Sequence, residues 1–228
     1  MPTYEIIRTR RKTVALVVKP DGQLVVRAPL RATKKQIQQA VEQQAEWIRA
    51  TQEKALVRYH PLVPKQFTSG EEFWFLGKVY RLEIVNAGGA RPVELALDEP
   101  GGRFLLDRLA VPQAQLILTR WYRQQAARVM AEQVSLAAAR HGFSYTRVKI
   151  NSARTRWGSC SSRGSLSFPW RLVMAPLPVI DYVVLHELVH TRERSHARIF
   201  WEQVQAIAPD YKQHKKWLKE NGHLLRVE

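Results

Sequence analysis

The chain has 228 residues, enough to bury a full core as one large domain or two small ones. With 45% hydrophobic and 9% aromatic residues it is neither disordered nor fibrous, and its one cysteine excludes an internal disulfide. Thirty-six Lys and Arg against twenty Asp and Glu give a formal charge of +16, which draws anionic partners such as nucleic acid or acidic lipid non-specifically.

The opening Met1–Glu5 has no apolar leader, and no 18-residue apolar run occurs, so the expectation is a cytoplasmic, globular protein with no membrane partner. The positive charge is blocked. Residues 1–60 hold 12 basic and 5 acidic side chains, and residues 118–178 hold 10 basic and one acid, Glu132. A solvated face accounts for such blocks, and no groove-reading motif accompanies them.

Thr13–Val18 and Gln23–Ala28 flank Lys19-Pro20-Asp21-Gly22, a turn signal that predicts an N-terminal hairpin. Thr33 then caps a single predicted helix, Lys34–Val57, which carries Ile37, Val41 and Ile48. His60–Gly70, with two prolines, reads as a loop. Two further hairpins follow: Phe73–Phe75 with Val79–Val85, and Val93–Leu97 with Arg103–Leu106.

Gln113–Arg140 is the longest helical pattern, ending near Gly142. Val148–Asn151 predicts a strand, and Arg154–Cys160 with Ser165–Trp170 another hairpin. Pro176 and Pro178 interrupt the chain, so the next helix is expected from about Asp181. Helices Arg198–Ala208 and Tyr211–Asn221 come last, with Gly222 as the residue ending the second. Without a regular βαβ alternation the class is α+β. A β-rich part, 1–110, is expected to pack on a helical part, 111–228, as two parts or one continuous domain.

The chemistry concentrates in His186-Glu187-Leu188-Val189-His190. On a helix, positions 186 and 190 share a face one turn apart, so both imidazoles reach one metal ion. Glu187 lies about 100° round, able to take a proton from a water on that ion without ligating it. Catalytic zinc sites use three protein ligands, and His196 is the natural third. The surrounding Val183, Val184, Leu185, Leu188 and Val189 suit a buried helix. The six-residue gap to His196 also occurs in metzincins, but those need a Gly where Glu193 stands and a Met after the third His, where this chain has none.

Beside the helix, Trp157-Gly158-Ser159-Cys160 is the nearest strand for an extended substrate, with Gly158 permitting close backbone approach and Ser159 offering a hydroxyl. Trp157 as core and Cys160 as a small buried filler, or Cys160 as a fourth ligand, are the alternatives. Arg154, Arg156 and Tyr182 are the candidate donors to a developing oxyanion. Phe200 and Trp201 read as packing residues beneath the His196 turn.

Arg156–Cys160, Val179–Val184, the His186–His190 motif, Ser195-His196 and Phe200-Trp201 together resemble the YgjP-like metallopeptidases, bacterial zincins related to the WLM domains of DNA–protein-crosslink proteases. The Arg10–Thr13 and Trp47-Ile48 segments extend the resemblance over nearly the whole chain. It implies a zincin-like fold, one Zn²⁺ on His186, His190 and His196, Glu187 as general base, and a peptide or protein substrate. The charge supports a second reading: a nucleic-acid-associated protein whose metal is structural, or whose peptidase acts on DNA-bound proteins.

Overall fold

The structure, a computed structural model, describes residues 3–19, 21–58, 64–86 and 94–228. The class is α+β, as expected: six α-helices and three small sheets among the described residues. The chain divides into two compact units, Met1–Val63 and Pro64–Glu228.

In the first unit, β2 (Ala15–Val18) and β3 (Leu24–Pro29) form the expected antiparallel hairpin. Its turn is closed by the Gly22 amide donating to the Lys19 carbonyl at 3.0 Å, with Gly22 at φ +79°, where a glycine costs nothing. A strand not foreseen, β1 (Tyr4–Thr9), runs parallel to β3. Four of its six residues are exposed, so the sequence carried no two-residue alternation to reveal it. Thr33 does cap the next helix: its hydroxyl accepts from the Gln36 amide and the Gln36 side chain accepts from the Thr33 amide. The single expected helix is two, α1 (Lys34–Gln43) and α2 (Ala45–Arg58), parted where Gln44 leaves helical geometry at φ −113°, ψ 18°. Leu24, Val26, Ile37, Val41 and Ile48 make this unit's core. The expected loop around His60 lies in part outside the described residues.

The second unit opens with a sheet ordered β4 (Glu72–Phe75), β5 (Lys78–Val85), β7 (Arg103–Asp107), β6 (Leu95–Asp98). Both expected hairpins are present, and β5 and β7 pair in parallel between them. Val93 lies outside the described residues. Phe73, Tyr80, Leu82 and Phe104 share one buried core with the helices that follow.

The long helix α3 (Ala114–His141) ends at Gly142 in the left-handed conformation. The second sheet is ordered β8 (Arg147–Asn151), β10 (Ser165–Pro169), β9 (Ser159–Cys160), which leaves β9 at the edge. Only the last two residues of the expected strand Arg154–Cys160 pair; the rest turns away after the Asn151 carboxamide oxygen accepts from the Ala153 amide.

The helix carrying the motif, α4 (Leu177–Val189), begins four residues earlier than expected. Pro178 sits in its first turn, where a missing N–H removes no helical bond, so the proline opens the helix it was expected to precede. Leu76 and Gly77, both at positive φ, join β4 to β5; their amides donate to the Val173 and Met174 carbonyls at 2.9 and 3.1 Å. A Cβ on Gly77 would lie 2.8 Å from Pro176 Cα, so this turn presses directly on the entry to α4. Last come α5 (Arg198–Ile207) and α6 (Tyr211–Asn221). Gly222 ends α6 as expected, at φ −57°. No helix among the described residues is long and apolar enough to cross a membrane.

Candidate metal centre

Helix α4 is apolar almost all round and buried against α3, α5 and α6, which fixes the orientation of its last turn. That turn carries His186, Glu187 and, at the C-cap, His190. The chain then reverses over 191–197 and brings His196 back across the end of the helix. Glu193 organises the reversal. Its carboxylate accepts from the Ser195 amide and hydroxyl at 3.0 and 2.7 Å, and its carbonyl lies 3.0 Å from His190 Nδ1.

With Nδ1–H donating to that carbonyl, His190 turns the lone pair of Nε2 towards the other two rings. His196 Nε2 lies 3.1 Å from His186 Nε2 and 3.2 Å from His190 Nε2. Ring nitrogens about 2.0–2.1 Å from one tetrahedral ion stand roughly 3.3 Å apart, so the three imidazoles fit a single shared cation. Three nitrogens at this separation cannot all carry protons. Burial, then the neighbouring His190 and His196, push the His186 imidazole down to about 3, which keeps it neutral, the ligating form.

Phe200, at the first turn of α5 and fully buried, is the floor under all three rings: its centroid is 4.8 Å from His186, 4.4 Å from His190 and 4.7 Å from His196. Trp201 stacks on His196 at 5.6 Å. The packing role expected for these two residues is therefore specific. They hold the third imidazole, which is exposed on its other side, against the two that the helix supplies.

Glu187 is 5% exposed, and its Oε2 has no hydrogen-bond partner among the described residues. Burial pushes the carboxyl up to about 7, against the opposing pull of Arg156. Gly158 lies flat against it. A Cβ there would stand 2.4 Å from Oε1 and 2.6 Å from Cγ, so any side chain at 158 would occupy the space of the carboxylate.

His186, Glu187, His190 and His196 open on a cavity of about 700 Å³. Every expected substrate-side residue, Arg156, Trp157, Gly158, Ser159 and Tyr182, lines it. Arg154 does not; its guanidinium pairs with Glu228 at 3.0 Å, which removes it from the oxyanion candidates. Trp157 also packs towards the core, its indole so close to Gly222 that a Cβ there would meet Cζ2 at 2.7 Å. That contact explains the glycine without a left-handed conformation. Tyr182 is nearly buried, its ring 5.9 Å from that of His186; burial, then Tyr211 and Glu187, push its hydroxyl up to about 12, so it stays protonated.

Cys160 is half-buried beside the cavity. Among the described residues the donors that converge are the three histidines, without its thiol. Two features here were not read from the sequence: the Glu193 brace, and the arrival of Lys215 and Lys219 from α6 at the cavity wall. The Glu193-x-Ser195 spacing was a readable signal for the brace. Nothing local in the sequence brings α6 to the site.

Residues 12–221 match the family model described as YgjP-like, metallopeptidase domain. No curated protein and no solved structure matches the chain. With three convergent imidazoles at the end of its buried helix and a family model spanning nearly its full length, the chain belongs to the YgjP-like metallopeptidase family.

Proposed function

We propose that the protein is a zinc-dependent peptidase in which His186, His190 and His196 hold one Zn²⁺ per chain and Glu187 is the general base. The observation that carries this reading is the convergence of the three Nε2 atoms beside a buried carboxylate with an unpartnered oxygen. Zn²⁺ held there supplies a Lewis acid and lowers the pKa of a bound water towards neutrality.

The chain's own groups do the rest. Glu187 takes the proton of the attacking water and hands it to the leaving amine. Strand β9, at the sheet edge beside Glu187, pairs with the extended substrate backbone, and Gly158 lets that backbone approach the carboxylate. Tyr182 and Arg156 are the two donors left to face the carbonyl oxygen as charge develops on it. Ser159 lines the wall that the substrate passes.

The test is hydrolysis of a mixed peptide library by the purified chain, before and after chelation, with zinc then restored. Cleavage that disappears with the metal and returns with zinc supports the reading. Cleavage that survives chelation, or is absent in zinc-loaded protein, refutes it.

A further inference from the structure

Four residues of the cavity wall, the oxyanion candidate Arg156 among them, share one sign. Arg156 precedes β9, Arg194 stands in the reversal after α4, and Lys215 lies on α6, and all three are exposed. Lys219, one turn on from Lys215, is a fourth. Among the described residues the cavity's lone carboxylate is Glu187, which the chemistry occupies.

These cations are not spent on other acids. Among the described residues none of the four has a carboxylate within ion-pair distance. Arg194 gives one nitrogen to the Ser162 carbonyl at 2.7 Å, which anchors the guanidinium on the β9–β10 turn. Lys215 Nζ sits 4.6 Å over the Trp201 ring, the ring that stacks on His196. Both are therefore held at the wall by neutral partners.

We propose that the cleft selects peptides carrying acidic side chains around the bond presented to the three histidines. The inference rests on the peptidase reading for the occupant being a peptide; the sign of its charge comes from the wall itself. The apolar stretch of the same wall, Trp157, Val183 and Leu218, takes the intervening side chains. Peptide is favoured over nucleic acid because the cations line a cleft that has a sheet edge, β9, in its wall, which matches a single extended chain.

The test is direct binding to the metal-loaded full chain carrying Glu187→Gln, read by fluorescence anisotropy. The probes are a labelled Glu/Ala peptide, its Gln/Ala and Lys/Ala counterparts, and an oligothymidylate, all of equal length. Exposed charge pairs are individually weak, so four together set the expected preference for Glu/Ala over Lys/Ala at about tenfold in Kd, shrinking as salt rises. Lys215→Glu with Lys219→Glu, both on the exposed face of α6, abolishes or inverts the preference. Arg128→Glu with Arg147→Glu changes the net charge equally, away from the cavity, and leaves it intact.

Equal binding of the Glu and Lys peptides overturns the proposal, as does a preference that survives the α6 reversal. An oligothymidylate that binds more tightly than Glu/Ala and displaces it moves the cleft to nucleic acid. An acidic preference in a protein that cleaves no peptide upholds this inference while the hydrolytic reading fails.

Discussion

Replacing Gly158 by Ala adds one methyl at the most crowded point of the site. The new Cβ would stand 2.4 Å from Glu187 Oε1, 2.6 Å from Cγ and 2.7 Å from Cδ. Ordinary van der Waals contact needs about 3.4 Å, so the carboxylate or the β9 backbone must move by about 1 Å. Gly158 is not at a positive φ, so the backbone conformation itself accepts alanine and the effect is steric. Overpacking of this kind costs about 1–3 kcal/mol of stability. A misplacement of about 1 Å in a catalytic group costs on the order of 10²-fold in rate. Neither effect reaches the three histidines, which α4 and Phe200 position independently. The expected variant is folded, binds metal like the parent, and has kcat/KM lowered about 10²-fold on the best library peptide. Unchanged kcat/KM with unchanged metal content would show that turnover does not depend on Glu187 keeping its place against Gly158, and would refute the steric link between the two residues.

Two further outcomes are expected. Phe200→Ala removes the floor beneath three imidazoles; a large buried aromatic costs about 3–5 kcal/mol on truncation, and zinc affinity falls with it, checked by urea melting and a competitive chelator titration. Asp181, half-buried on α4, has its carboxyl raised by burial against the pull of Arg140 and His214. A carboxyl raised in the folded state favours folding while protonated, and that contribution is lost as pH rises from the ordinary value of 3.8 through the folded one. Urea midpoints of the parent should therefore fall relative to Asp181→Asn across that window and stay lower at neutral pH; an Asn variant that is the less stable at neutral pH would contradict the assigned cause.

What the sequence disclosed followed from local rules. The facing pair His186 and His190 on the motif helix and the Gly142 stop are periodicity and glycine chemistry written over a few residues. The Leu177 start was missed because Pro178 reads as a breaker unless its place in the first turn is known. Strand β1 was missed because its exposed face carries Ile6 and Ile7 beside Glu5 and Arg8, without alternation. The β4–β5 turn pressed on Pro176, the Trp157–Gly222 contact and the lysines of α6 at the cavity are long-range approaches. They depend on how separate elements pack, and no window of local sequence encodes them.

In the proposed mechanism three imidazoles hold the metal and Glu187 does not. Metal content and peptide turnover of Glu187→Gln and His196→Ala, measured side by side, separate the two roles. Glu187→Gln should retain about one zinc per chain, since its carboxylate lies outside the ligand set, while turnover falls ~10²–10⁴-fold with the loss of the proton acceptor. His196→Ala should lose zinc and turnover together, because a three-ligand site becomes a two-ligand one. Parent-level turnover in Glu187→Gln, or zinc retained at parental affinity by His196→Ala, would contradict these assignments.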